Sequence, residues 1–225
     1  MTNENEIKVL RLIEELLDDP VDFENRGRGN EILGLYYNGI LDSLGPLLSH
    51  PNVCVRGTAM FVAAELGTIS RPLIDEIAPL TSDSDPHISW DAMESVLVCA
   101  TDMFADRFVV VVQQLENNLA ALRRLAMRLI SKAYISQLHG AKSRCGELGD
   151  SGPVHDKCLQ ILIDSECNEV NNIQYMLDSN TELVRFYGAI IAKRAMAIRP
   201  QGLDVAAANT NLDVKQFALE AKGEV

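Results

Sequence analysis

The sequence predicts an all-α chain arranged as a row of helix pairs, on three observations. The first is one stretch, Leu47 to Gly67 (LLSHPNVCVRGTAMFVAAELG), where two apolar runs flank His50-Pro51-Asn52. The second run carries Val55, Ala59, Val62, Ala63 and Leu66 at helical spacing and stops at Gly67. Proline fits a helix's first turn but not its interior, and glycine suits its exit, so this reads as helix, tight turn, helix. The second observation is recurrence. With Val55-Arg56 and Ala59 as a ruler, the same spacing returns at Ile88-Ser89 with Ala92, Leu122-Arg123 with Ala126, Val184-Arg185 with Gly188, and Val214-Lys215 with Ala218. The intervals are 33, 34, 62 and 30 residues, which fit one helical unit with an insertion inside the longest interval. The third is composition: 47% hydrophobic residues support a folded chain, and only 5% aromatic residues fit helices packed by Leu, Ile, Val and Ala.

In chain order, residues 4–18 carry Ile7, Leu10, Ile13, Leu16 and Leu17 on one predicted helical face. Residues 1–25 hold eight acids against Lys8 and Arg11, so this segment reads as an acidic N-terminal cap helix. Asn25 to Asn30 (NRGRGN) follows no strand and reads as a connection, not a phosphate cradle. A helix over Glu31 to Leu48, with Leu33, Tyr36, Ile40, Leu44 and Leu47, then leads into the ruler stretch.

Residues 72–106 contain eight acids and neither Lys nor Arg. On a helix over 87–104, Ile88, Ala92, Val96, Cys99 and Met103 share a core face. His87, Asp91, Glu94, Val98 and Asp102 share another, with Trp90 at its edge. In residues 120–133 the basic stripe Arg124, Arg128 and Lys132 is expected to pair with acids of the adjoining unit. Gln137 to Lys157, with four glycines, reads as an inserted loop. Its His139, Cys145 and His155, and the following Cys158, are metal-ligand types but lack the two close pairs of a zinc site, so no metal is expected. Beyond it come a fourth unit, ended by Pro200-Gln201-Gly202, and a weaker last pair.

The pattern of leucine-rich first helix, Asp/Asn-Pro-type turn and Val-Arg-x-x-Ala second helix resembles a HEAT-repeat protein over roughly residues 30 to 225. It is clearest at 47–67 and 178–197. Tetratricopeptide repeats have a similar period, but their Trp-Leu-Gly-Tyr pattern is absent. The resemblance implies a right-handed α-solenoid of about five HEAT-like helix pairs forming a single domain over residues 1–225.

Thirty-two acids against twenty bases give a net charge of −12, which disfavours DNA or RNA as the ligand. Five cysteines without close pairing read as reduced, mostly buried thiols, and no secretory signal or membrane span is expected. No triad elbow, nucleotide loop, metalloprotease or dinucleotide fingerprint appears, so the chain is expected to be non-catalytic and without cofactor. HEAT-like DNA alkyl-base glycosylases need a cationic concave face, where this chain places acids. Resemblance and charge together imply a cytoplasmic bacterial immunity protein, an antitoxin that covers the basic cleft of a nuclease toxin as a monomer within a 1:1 complex. The expected partner-binding residues are Asp83, Asp85, His87, Trp90, Asp91, Glu94 and Asp102, joined by acids of the N-terminal region. The alternative is a HEAT-like scaffold, chaperone or chromophore-lyase subunit.

Overall fold

Every ruler position opens a helix with the same hydrogen bond. Counting back six residues from Arg56, Ser89, Arg123, Arg185 and Lys215 reaches His50, Asp83, Asn117, Ser179 and Asn209. Each of those side chains accepts the backbone N–H two residues further on, at 3.2, 2.9, 2.8, 3.2 and 2.9 Å. Short polar side chains favour such local bonds, which bend the chain before a helix. In all five cases the helix starts three residues before the ruler position, at Val53, Pro86, Ala120, Glu182 and Leu212.

The arginines reinforce the turn behind them. Arg56 Nη1 donates to the carbonyls of His50 and Pro51, both at 2.9 Å. Arg123 Nη1 donates to Asn117 and Asn118 at 2.7 and 3.1 Å. Arg185 Nη1 donates to Ser179 at 2.6 Å.

A computed structural model of the chain describes residues 4–36, 41–164 and 170–223. Among them, fifteen α-helices and short 3₁₀ turns form an all-helical structure in two compact units, Met1–Ala100 and Thr101–Val225. The first unit contains α1 (Glu4–Asp18), α2 (Pro20–Asn25), α3 (Gly29–Tyr36), α4 (Gly45–Leu48), α5 (Val53–Leu66), α6 (Ile74–Ile77) and α7 (Pro86–Cys99). The second contains α8 (Val109–Gln113), α9 (Ala120–Lys132), α10 (Ile135–Arg144), α11 (Gly152–Asp164), α12 (Val170–Leu177), α13 (Glu182–Arg194), α14 (Gln201–Ala207) and α15 (Leu212–Lys222).

In the first unit the core joins Val55, Ala59, Val62 and Ala63 of α5 to Ile88, Ala92, Val96 and Cys99 of α7, all buried as the ruler predicts. α5 ends at Gly67, whose φ of 55° suits a residue without a Cβ. Val53–Ser82 has the length and composition of a membrane span. It is broken after α5 by the 3₁₀ turn Gly67–Leu73, which contains Pro72.

Several expectations are corrected. α1 buries Val9, Leu12, Ile13 and Leu16, whereas Ile7, Leu10 and Leu17 are 58%, 48% and 45% exposed. The helix carries two apolar stripes, and the one with Val9, Leu12, Ile13 and Leu16 faces inward, against α2 and α3. The helix expected over 31–48 divides into α3 and α4; Ile40 lies outside the described residues. α7 stops at Cys99, since Ala100 leaves helical geometry with ψ 65° and Asp102 has φ 51°. Met103, placed on the core face, is 84% exposed.

The stretch 137–157, expected to be an inserted loop, is helical instead: most of α10, two 3₁₀ turns and the start of α11. Its glycines mark close approach as well as turns. α10 lies against the 3₁₀ turn Asp102–Phe108 so tightly that a Cβ on Gly140 would fall 2.4 Å from the Ala105 carbonyl carbon and 2.6 Å from the Asp106 nitrogen. An ion pair from Arg144 to Asp106 at 2.7 Å closes the same contact.

Elsewhere in this unit α9, α13 and α15 pack mutually. Arg123 and Arg124 both reach Asp213, at 2.7 and 3.0 Å, across about 90 residues of sequence. Arg124 of the basic stripe thus pairs with an acid, but with one in the last helix pair and not in the adjoining one.

Gly140→Ala should lower stability by about 2 kcal/mol or more, because backbone must move to admit the methyl group. Gly146→Ala, where a Cβ would meet nothing within 4 Å, is the control and should change it by less than about 0.5 kcal/mol. Paired urea titrations measure both.

Candidate functional site

In the first unit the start of α5, the start of α7 and the turn between α2 and α3 enclose a cleft of about 440 Å³. One wall is the former "connection": Glu24 closes α2, Gly27 turns with φ 65°, and Gly29 and Asn30 open α3. The floor is apolar, from Val53, Phe61 and Ile88. The remaining wall is the first two turns of α7, with Asp85, His87 and Asp91. Among the described residues, three acids and no Lys or Arg line the cleft.

The expected partner-binding residues divide into three groups. Asp83 and Asp85 hold the fold. Asp83, with its side chain only 6% exposed, takes Arg56 through Nε at 2.8 Å and Nη2 at 3.1 Å. Burial pushes the Asp83 carboxyl up, but the Arg56 guanidinium and the Asp85 N–H outweigh it and hold the group below its ordinary value. Asp85 caps α7, its Oδ1 accepting from the N–H groups of His87 and Ile88 at 2.8 and 3.3 Å.

His87, Asp91 and Glu94 form the second group, along one outward side of α7. His87 and Glu94 are exposed, and Asp91 is half-buried. Burial raises the Asp91 carboxyl, and the neighbouring Glu94 charge raises it further, while His87 acts in the opposite direction. Trp90 sits half-buried on the same helix. The third group is Asp102 alone. It is exposed on the 3₁₀ turn of the second unit and not on α7, because the helix ends three residues earlier.

Glu24 and the glycine turn were not singled out as site residues. The acidic run of residues 1–25 was visible, but which of its acids would face α5 depends on the break at Asp19 that starts α2. Cys54 sits on the cleft wall, half-buried. Burial, and then a hydrogen bond with Glu24 and its charge, push the thiol up, so it is a poor thiolate. The cleft can therefore offer partly desolvated negative charge beside an apolar surface, which suits a cation with an aliphatic or planar stem.

The metal-ligand types of the second unit have other roles. His139 is exposed on α10, whereas Cys145, His155 and Cys158 are buried. Burial pushes each of the two thiols up to about 11. Among the described residues, no three His, Cys, Asp or Glu side chains converge as metal ligands would.

His155 instead anchors a buried network. Its Nε2 donates to Glu116 at 2.9 Å, and its Nδ1 accepts from the Tyr187 hydroxyl at 3.0 Å. The carboxylate, an acceptor only, sets this tautomer. Ser151 donates to the same Glu116 oxygen at 2.7 Å. Burial lowers the His155 pKa against the opposing pull of Glu116.

No protein-family model matches the chain, and no curated protein matches it.

Acid should destabilise the chain in two windows. His155 has a lowered folded pKa, so its contribution is complete above the unfolded value of about 6.5 and is lost as pH falls from there, with a slope of at most about 1.4 kcal/mol per pH unit. Asp83, also lowered, adds a second loss below about pH 4. Urea midpoints across pH should lose the first window in His155→Gln and retain the second.

Proposed function

We propose that the chain is a non-catalytic protein-binding module of HEAT-like helical repeats, acting as an immunity protein that neutralises a cationic nuclease toxin. The observation that carries this reading is the cleft of the first unit, lined by Glu24, Asp85 and Asp91 and, among the described residues, by no Lys or Arg. Asp91, raised by its burial and by the Glu94 charge, is relieved by an incoming cation, and Glu24 and Asp85 add negative charge beside the apolar floor. A net charge of −12 adds long-range attraction for a basic partner.

In this mechanism the outward side of α7 meets the toxin. Asp91 pairs at the mouth of the cleft, Glu94 pairs one turn further along, and the half-buried Trp90 supplies an apolar contact beside them. Asp85 takes part through the oxygen it does not use to cap the helix. Asp83 does not take part, because its carboxylate is spent on Arg56. Inhibition is steric, and complementary charge sets the association rate and the choice of partner. The alternative of a chromophore lyase with a reactive thiol draws little from Cys99. That thiol is buried, donates to the Gly67 carbonyl at 3.4 Å, and is pushed up by its burial.

The test is capture of a purified basic nuclease domain encoded beside this chain's gene, at low salt and at about 0.5 M salt, where screening is nearly complete. Capture should weaken at high salt, and Asp91→Lys or Glu94→Lys should each reduce affinity about tenfold or more. Absence of binding at either salt overturns the immunity reading. Binding unaffected by both substitutions removes the partner surface from α7.

A further inference from the structure

The first unit holds one arginine in a setting that its cleft reproduces without one. Arg28 lies over the Phe23 ring, 5.4 Å from the centroid. Its Nε and Nη2 donate to the two oxygens of Glu31, each at 3.1 Å, and its Nη1 reaches Glu15. One aromatic face and carboxylates from two helices, α1 and α3, thus hold a planar guanidinium.

The cleft offers the same set of parts. Phe61 is half-buried in its floor, and the acids stand on two walls, Glu24 at the end of α2 and Asp85 and Asp91 on the α7 side. Val53 adds an apolar surface that is 42% exposed. Asp91 is half-buried among like charges: Glu94 and Glu65 act against its ionised form, and His87 acts in its favour. Among the described residues no Lys or Arg lines the cleft, and no three His, Cys, Asp or Glu side chains converge as metal ligands would. Charge on two walls beside an aromatic and aliphatic floor fits an organic cation and not a bare ion.

We propose that this cleft receives one arginine side chain of the partner protein, with its guanidinium on Phe61 and its donors directed at Asp91 and Glu24. The inference rests on the reading of the cleft as the partner's docking site and names the side chain that enters it. A guanidinium is planar, weakly hydrated and rich in donors, so it can lie on a ring and serve both walls, whereas an ammonium is compact and strongly hydrated. The methylene stem covers Val53 and Ile88. The volume of about 440 Å³ lies in the range of small-ligand sites.

The test is a titration of the full chain at low salt with the peptide acetyl-Gly-Arg-Gly-amide, followed by backbone amide NMR shifts. The lysine version matches its charge, the citrulline version its shape, and free arginine supplies the side chain outside a peptide. Saturable shifts should appear at residues 24–30, 53–61 and 85–91. The arginine peptide should bind about tenfold tighter than the lysine peptide, and the citrulline peptide should not bind. Asp91→Asn should weaken the arginine peptide about tenfold, and Phe61→Leu should remove the preference for arginine over lysine. Asp91→Asn relieves like-charge crowding, so it decides the matter if Phe61→Leu does not fold. Equal binding of the lysine or citrulline peptide, tighter binding of free arginine, no saturable shift, or wild-type affinity in Asp91→Asn overturns the proposal. No arm uses a nuclease. Capture of a basic nuclease without arginine selectivity overturns the arginine anchor alone, and arginine selectivity without such capture overturns the immunity reading alone.

Discussion

The constraint on which the structure depends is the bond that turns the chain into each ruler helix. A side chain of type His, Asp, Asn or Ser captures the N–H two residues ahead, and the helix begins at the residue after that N–H. The bond is short-range, so each entry forms without help from distant sequence. The arginines at positions 56, 123 and 185 then tie the helix back onto the turn's own carbonyls. Because both devices are local, the direction of each ruler helix is set before its apolar face meets a neighbour. The buried stripes of α5, α7, α9, α13 and α15 are packed by helices whose starting points share one register.

Long-range order enters through the same residues used a second time. Asp83 accepts the N–H of Asp85 in its own turn and, on the same carboxylate, the fork of Arg56 from the preceding helix. Asp213 gathers both Arg123 and Arg124 from α9. A surface pair of this kind would contribute little, but these carboxylates are nearly covered, so losing either partner would strand a buried charge. The acids nearest the fold's organising turns are thereby neutralised at home. Glu24 and Asp91, which line the cleft, lie away from the ruler arginine.

The entries were legible in the sequence because turn chemistry and the ruler spacing both act within about ten residues. What was not legible depended on which of two permissible faces a neighbour would cover. α1 is apolar on two sides, and which one its neighbours α2 and α3 cover decides that Leu12 and not Leu10 is buried. The 137–157 stretch failed for a related reason. Glycine is read as a breaker from sequence, yet Gly140 lies mid-helix because the Ala105–Asp106 backbone passes where a side chain would stand. Half of the acidic cleft was readable, since Asp85, His87 and Asp91 follow helical spacing. Its other wall required knowing that the chain bends at Asp19 and returns through Gly27. Asp102 could be aligned with that row only by extending α7 past Ala100, where the backbone turns away.

Cys54 gives the cleft a chemical property apart from its shape. It is the half-buried member of four described cysteines whose other three are fully covered, so an alkylating reagent of modest size would label one position among them. Its thiol is held protonated by burial and by Glu24, and a cation seated in the cleft would oppose the second of these. Occupancy would therefore accelerate the chemistry of the thiol wherever it does not block access to it. Cys54 would thus report on the charge state of the cleft whose wall it forms.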